Sequence, residues 1–325
     1  MKFVLTHPLN SAGMDVLERN GVDLFVANSA EIPTYMDQLK DADGLIIRVG
    51  LCTKEIIDNC PSLKVIGRTG VGYDNVDVEY AASLGIPTVF TPGANNRSVA
   101  EHVIAAIFSL AKNLPEADAQ LRAGNWAIRD AGKSFELQGK KIGIIGVGAI
   151  GSIVAQLSIG LGMEAIGYSH SHNRQKVEAA GCVYCEDLDQ LLKECDIITI
   201  HNPLTPETKD MISERELCLM KKSALLINTS RGPIVNEQDL KHALNAEIIA
   251  GAAVDVYSKE PATLDNPVFE AKNLICTPHS AALTKEATAR MAVQCAEGCL
   301  AVCRGEQWKN VVNSKAYSGP RFLKQ

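Results

Sequence analysis

Ile142-Gly143-Ile144-Ile145-Gly146-Val147-Gly148-Ala149-Ile150-Gly151 is the stretch that decides the fold. An apolar strand runs without a break into Gly-x-Gly-x-x-Gly and then into a stretch of helical pattern. In that order the glycines have separate physical duties. Gly146 permits the tight turn, Gly148 lets the backbone approach a pyrophosphate, and Gly151 lets the helix pack closely on the strand. A helix opening near Ala149 turns the free N–H groups of Ala149, Ile150 and Gly151, and the positive end of its dipole, toward the phosphates. The spacing alone is weak; strand, glycines and helix in sequence predict a dinucleotide-binding βαβ unit.

Such a unit usually carries an acidic residue about 20 residues on, which accepts from the ribose 2′-hydroxyl of NAD and repels a 2′-phosphate. Here the second strand ends at Tyr168, and Ser169-His170-Ser171-His172-Asn173-Arg174 follows. Ser169 removes the repulsion, while His170, Arg174 and Lys176 supply positive charge. Two readings stay open: acceptance of NADPH, or a solvated polar loop beside bound NAD.

Outward from this unit the chain keeps one rhythm. Strands are expected at 141–145, 165–168, 196–200, 224–228, 249–254 and 274–276, and upstream at 2–6, 23–27, 44–48, 64–67 and 87–90. Helical patterns at 11–20, 33–40, 53–60 and 76–84 separate the upstream strands. The segment 98–114 reads as a long helix, apolar nearly all round and therefore buried. The segment 124–138 is irregular, and a last helix is expected at 285–303. Alternation of this kind builds parallel sheets. The expected fold class is α/β, with two Rossmann-like or flavodoxin-like parallel-sheet domains. The nucleotide-binding domain, 97–284, is inserted in a discontinuous substrate domain, 1–96 plus 285–325. The upstream series looks one strand short, so the C-terminal tail is expected to join it.

The 325 residues fit about two domains, and 46% hydrophobic with 22% charged residues is ordinary for a globular chain. A net charge of -6 speaks against a nucleic-acid binder, and no apolar run approaches the roughly 18 residues of a membrane span. The N-terminus shows no secretory pattern. Ten cysteines in a chain of this size need no stapling, so reduced thiols and a cytoplasmic location are expected. Cys182-Val183-Tyr184-Cys185 lies where a helix ending at Gly181 meets a short strand, and it lacks the two further ligands of a zinc site. Cys295, Cys299 and Cys303 fall on one helix face and read as core packing. His170 and His172 have no completing partners either, so no metal is expected.

Three polar residues stand just past strands of the second series, where an open α/β sheet forms its ligand crevice. Arg231 lies in Asn228-Thr229-Ser230-Arg231-Gly232-Pro233, Glu260 in Asp255-Val256-Tyr257-Ser258-Lys259-Glu260-Pro261, and His279 in Thr277-Pro278-His279-Ser280-Ala281-Ala282. Singly, each has a bland reading: Arg231 and Glu260 as surface charges, His279 as a capping or core histidine.

Other segments accompany them in a fixed order. They are Gly67-Arg68-Thr69-Gly70-Val71-Gly72-Tyr73-Asp74-Asn75-Val76-Asp77, Gly93-Ala94-Asn95-Asn96-Arg97-Ser98-Val99-Ala100-Glu101-His102 and His201-Asn202-Pro203-Leu204-Thr205. Together, and nearly end to end, the chain resembles the D-isomer-specific 2-hydroxyacid dehydrogenases. The resemblance implies hydride transfer between NAD or NADP and a small D-2-hydroxy acid or 2-oxo acid. Arg231 would hold the substrate carboxylate, which an arginine fork suits, and polarise the 2-oxo group. His279 would be the general acid of reduction and the base of oxidation, a task suited to a group titrating near neutrality. Glu260 would hydrogen-bond His279 and favour its protonated form. Gly146, Gly148, Ala149, Ile150, Gly151, Ser169, His170, Arg174, His201, Pro203, Thr229 and Asp255 would contact the cofactor, Asp255 on its carboxamide side. Val71 and Gly72 would bind the substrate carboxylate through their N–H groups.

Arg48 and Arg68 resemble the arginines that the phosphoglycerate dehydrogenase branch turns on a substrate phosphate. Arg48 equally suits a small carboxylate or a surface salt bridge. The missing acid after Tyr168 instead resembles hydroxypyruvate and glyoxylate reductases that accept NADPH. Hydroxypyruvate or glyoxylate is the favoured substrate and 3-phosphoglycerate the alternative. Ser280-Ala281-Ala282 departs from the family's more usual apolar residue plus glycine after the histidine. The tail beyond the last helix leads to no expectation of an appended regulatory domain. Family members pair through the region of the 98–114 helix, and Trp126 begins a stretch that would reach over a partner, so a homodimer is expected. A nicotinamide-sensing, corepressor-like binding protein would share the fold. The Arg231, Glu260, His279 set favours the enzyme.

Overall fold

Short apolar runs of three or four residues, such as Phe-Val-Leu after Lys2 or Gly-Leu-Ile-Ile at 44–47, are too short for helices and are buried on both faces. That is the signature of strands in a parallel sheet covered on both sides. The computed structural model describes residues 1–29 and 31–324, and the chain divides into two units, 1–95 with 283–325, and 96–282.

The first unit begins with β1 (Lys2–Leu5), α1 (Ser11–Arg19), β2 (Asp23–Val26), β3 (Gly44–Ile47), α2 (Lys54–Asp58), β4 (Val65–Arg68), α3 (Val78–Leu84) and β5 (Thr88–Val89). Its five strands run parallel in the order β2-β1-β3-β4-β5. Local chemistry fixes the helix ends. Asn10 caps α1 by accepting from the Ala12 N–H, and Asp77 caps α3 by accepting from the Tyr80 N–H. Where the pattern predicts a helix at 33–40, two 3-10 turns form instead, Ile32–Thr34 and Met36–Leu39, parted at Tyr35 with φ -133. Short connecting segments of this kind commonly take the tighter 3-10 turn.

The second unit comprises α4 (Asn96–Ala111), α5 (Leu114–Arg122), β6 (Lys141–Ile145), α6 (Ala149–Gly160), β7 (Glu164–Tyr168), α7 (Arg174–Ala179), β8 (Val183–Cys185), α8 (Leu188–Glu194), β9 (Ile197–Ile200), α9 (Glu214–Leu219), β10 (Leu225–Asn228), α10 (Glu237–Asn245), β11 (Gly251–Val254) and β12 (Leu274–Cys276). Its seven strands are parallel in the order β12-β11-β10-β9-β6-β7-β8. Two parallel-sheet α/β units are the fold class that the alternation predicts.

The helix expected at 98–114 differs in two ways. It stops at Ala111, Asn113 turns left-handed at φ 51, and Leu114-Pro115 opens a separate helix, α5. Proline suits the first turn of the new helix because its missing N–H would have no partner there. Within the single chain the cover of α4 is also incomplete. Val99, Val103, Ala106 and Ile107 are buried, but Ile104, Phe108 and Leu110 are only partly covered and Ala105 is exposed.

After 282 the chain returns to the first unit through α11 (Lys285–Cys303). A Cβ on Gly13 of α1 would fall 2.6 Å from the Ala292 Cβ, so glycine is what lets α1 and α11 touch. Cys295 and Cys299 are fully buried over β4, and burial pushes the Cys303 thiol up to about 12. These are core thiols. The tail then joins the sheet as expected, pairing Val311 antiparallel with Val89 of β5. No described helix is long and apolar enough to cross a membrane. Among the described residues no cluster of three His, Cys, Asp or Glu could hold a metal ion.

Candidate active site

In the second unit the strand order reverses between β6 and β9, and in such a sheet ligands sit at the carboxyl ends beside the reversal. Ile145 and Ile200 stand side by side there. Gly146 follows with φ 95, and a Cβ on it would fall 2.2 Å from Asn202 Oδ1. A Cβ on Gly151 would fall 2.4 Å from the Gly146 carbonyl oxygen. Gly148 is different: a Cβ there would meet nothing within 4 Å. That open space lies at the N-terminus of α6, which no side chain caps. An anion approaching Gly148 would therefore meet the N–H groups of Ala149, Ile150 and Gly151. The residues present fit a dinucleotide pyrophosphate.

Around this point lie the other expected cofactor residues. Ser169 Oγ and Ser171 Oγ are 3.0 Å apart just past β7, and His170 is exposed beside Glu207. Arg174 turns toward its own helix and β8. It lies 3.5 Å from Glu178 and stacks 5.0 Å over the Tyr184 ring. His201 follows β9; its N–H donates to the Ile145 carbonyl at 2.7 Å, and its Nε2 lies 3.0 Å from Thr199 Oγ1. Enclosure pushes its imidazole down to about 4, so the ring is neutral near pH 7. Pro203 follows in the same loop, its carbonyl accepting from Thr208 Oγ1. Thr229 Oγ1, after β10, is buried without a hydrogen-bond partner, a polar atom left available to a ligand.

The three candidate catalytic residues follow β10, β11 and β12. His279 Nδ1 lies 2.6 Å from Glu260 Oε2, and Glu260 Oε1 accepts from the Tyr257 N–H at 3.0 Å. One carboxylate oxygen is thus tethered to backbone and the other meets the imidazole. Burial works to raise the Glu260 carboxyl. The His279 bond and charge, the Tyr257 N–H and the Arg231 guanidinium outweigh it and hold it below its ordinary value. An ionised Glu260 can only accept, so Nδ1 carries a proton, and Nε2 is left as the atom that can exchange one with a ligand.

The Arg231 loop is pressed against the Glu260 loop. A Cβ on Gly232 would fall 2.0 Å from the Tyr257 carbonyl carbon, so only glycine permits the approach. Arg231 Nη1 donates to the Ser230 carbonyl, and Asn228 Nδ2 donates to the Arg231 carbonyl. Asp255, 1% exposed, accepts from Thr277 Oγ1 and from the N–H groups of Ser280 and Ala281.

The other expected substrate residues belong to the first unit and share the carboxyl edge of its sheet. Arg48 follows β3, and Val71 and Gly72 lie in the bend after β4. His7, just after β1, was not singled out by the sequence. Burial and the nearby Arg48 charge both lower its pKa, so an imidazole held toward its neutral form shares one edge with the Arg48 cation. Arg68 Nε donates to Asn75 Oδ1 and its Nη1 to the Thr69 carbonyl.

Residues 104–281 match the NAD binding domain of the D-isomer specific 2-hydroxyacid dehydrogenases. D-3-phosphoglycerate dehydrogenase of Methanocaldococcus jannaschii is 40% identical over 314 residues, 96% of this chain and 59% of the relative. This chain therefore spans about six-tenths of that curated relative's length. Glyoxylate reductase of Thermococcus litoralis is 39% identical over 285 residues, 86% of each chain. The crystal structure of D-lactate dehydrogenase from Aquifex aeolicus, complexed with NAD and lactic acid, superposes with a TM-score of 0.85 at 30% identity, covering 96% of this chain and 99% of that one. The chain belongs to the D-isomer specific 2-hydroxyacid dehydrogenase family.

Proposed function

We propose that this protein is an NAD(P)-dependent D-2-hydroxyacid dehydrogenase, interconverting a small D-2-hydroxy acid and its 2-oxo acid. The observation that carries the reading is the 2.6 Å contact of His279 Nδ1 with Glu260, beside Arg231 and on the same sheet edge as the open glycine turn. The cofactor, when bound, supplies or accepts the hydride. Gly146, Gly148 and the first turn of α6 hold its pyrophosphate, and His201, Pro203, Thr229 and Asp255 line the rest of it. The Arg231 guanidinium binds the acid's carboxylate and draws electron density from the 2-oxo oxygen. His279 Nε2 donates a proton to that oxygen in reduction and removes it in oxidation. Glu260 stabilises the imidazolium and fixes the ring. To the first unit we assign substrate binding by Val71, Gly72 and Arg48.

Hydroxypyruvate or glyoxylate is the favoured oxo acid, in keeping with the glyoxylate reductase relative. The pairing of His7 with Arg48 favours a second reading, 3-phosphoglycerate. Ser169 in place of an acid supports use of NADPH as well as NADH. The exposed Leu114, Leu121 and Trp126 support a homodimer, and a cytoplasmic location accords with the many reduced, buried thiols. Initial rates with hydroxypyruvate, glyoxylate and 3-phosphohydroxypyruvate test the substrate, with either cofactor. A kcat/KM highest for an unphosphorylated acid supports the first reading. A preference of tenfold or more for the phosphorylated acid would replace it with the second.

A further inference from the structure

His279 is one of the few non-glycine residues with left-handed backbone, at φ 51. Such a conformation costs free energy and persists only where the surroundings over-determine it. Those surroundings converge on one buried carboxylate. Asp255 Oδ1 accepts from Thr277 Oγ1 at 2.5 Å and from the Ser280 N–H at 2.8 Å, and Oδ2 accepts from the Ala281 N–H at 2.9 Å. The residues on both sides of His279 are therefore tied to the same group. Thr277 is tied twice more, its carbonyl accepting from the Tyr257 hydroxyl at 2.9 Å and from the His279 N–H at 3.0 Å.

The Thr277 hydroxyl has a further neighbour, His102 Nε2 of α4, at 3.1 Å. A threonine hydroxyl carries one proton, and the acceptor-only carboxylate of Asp255 takes it. His102 must then be the donor, from Nε2–H, and the donors line up as His102 to Thr277 to Asp255. We propose that Thr277 and His102 are positioning residues: through Asp255 they hold the 277–281 loop in the one conformation that keeps His279 Nδ1 on Glu260. Neither touches the reacting atoms. The consequence for turnover rests on the role proposed above for His279; the effect on the His279–Glu260 bond does not.

The test pairs an isosteric loss with a conservative rescue. Thr277→Val removes the hydroxyl and leaves Asp255 one donor short. Thr277→Ser keeps it. Thr277→Val should lower kcat about tenfold, the usual worth of a hydrogen bond to a charged group, with KM for NADH within about twofold. Thr277→Ser should stay near wild type. His102→Leu should lower kcat in the same sense, and His102→Gln, which retains a donor, less. The independent readout is the downfield proton resonance of His279 Nδ1–H, assigned by its loss in His279→Ala. Thr277→Val and His102→Leu should shift or broaden it, and Thr277→Ser should restore it. Wild-type kcat together with an unmoved resonance in both Thr277→Val and His102→Leu would overturn the proposal. So would equal losses in Thr277→Val and Thr277→Ser. If the wild-type protein reduces no oxo acid, the dehydrogenase reading fails, while the resonance still decides the positioning claim. If Thr277→Val does not fold, the two His102 variants decide it alone.

Discussion

Ser169 occupies the place where a carboxylate would repel a 2′-phosphate, and its hydroxyl lies 3.0 Å from Ser171 Oγ. Ser169→Asp should shift the ratio of kcat/KM toward NADH by about tenfold or more, since it places a like charge beside the phosphate. A ratio that does not move would remove Ser169 from cofactor choice. Arg174, read from sequence as available charge, is engaged with Glu178 and Tyr184, so Arg174→Ala should change that ratio less than Ser169→Asp. His201 gives a pH-dependent prediction. Its pKa is lowered from 6.5 to about 4 in the folded state, so the unfolded chain binds more protons between those values. Stability should be complete above about 6.5 and fall as the pH drops toward 4, by at most about 3 kcal/mol from this group. Urea titrations at pH 7 and pH 4.5 should differ less for His201→Gln than for the wild type; an identical difference would contradict the assignment.

At the scale of elements, the close approach at Gly232 is the most exposed to test. A Cβ there would fall 2.0 Å from the Tyr257 carbonyl carbon, and backbone yields far less readily than a side-chain tip. Gly232→Ala should cost roughly 1–3 kcal/mol of stability and separate Arg231 from Glu260, lowering kcat/KM with cofactor binding kept. Wild-type stability in denaturant would mean the two loops have slack. Most elements were legible in the sequence because their signals are local. The strands β6 and β12 begin and end where the apolar runs do, and α11 spans the periodic segment. The break after Ala111 was also written locally, as Asn113-Leu114-Pro115, but apolar periodicity runs through it and masks it. Arg231, Glu260 and His279 were legible as strand-end motifs. The donors behind it were not: His102 and Thr277 are 175 positions apart, and only the packing of α4 against the second sheet brings them together. His7 was hidden likewise, since its nearness to Arg48 follows from β1 lying beside β3.

For the whole molecule, the partly covered α4 is followed by a segment with exposed apolar side chains. Trp126 is 67% exposed, and Leu114 and Leu121 are each more than half exposed. Large exposed apolar side chains grouped along one segment mark an interaction surface. The proposed homodimer predicts twice the 34.9 kDa chain mass by light scattering at micromolar concentration. Trp126→Asp with Leu121→Asp should shift it toward the monomer. A monomeric wild-type protein would leave that surface to another partner. The proton transfer proposed for His279 is tested by turnover of NADH or NADPH with hydroxypyruvate in the wild-type protein and in His279→Ala. The kcat of the variant should be lower by roughly 10²–10⁴, with the cofactor Kd unchanged. Equal kcat in the two proteins would contradict it.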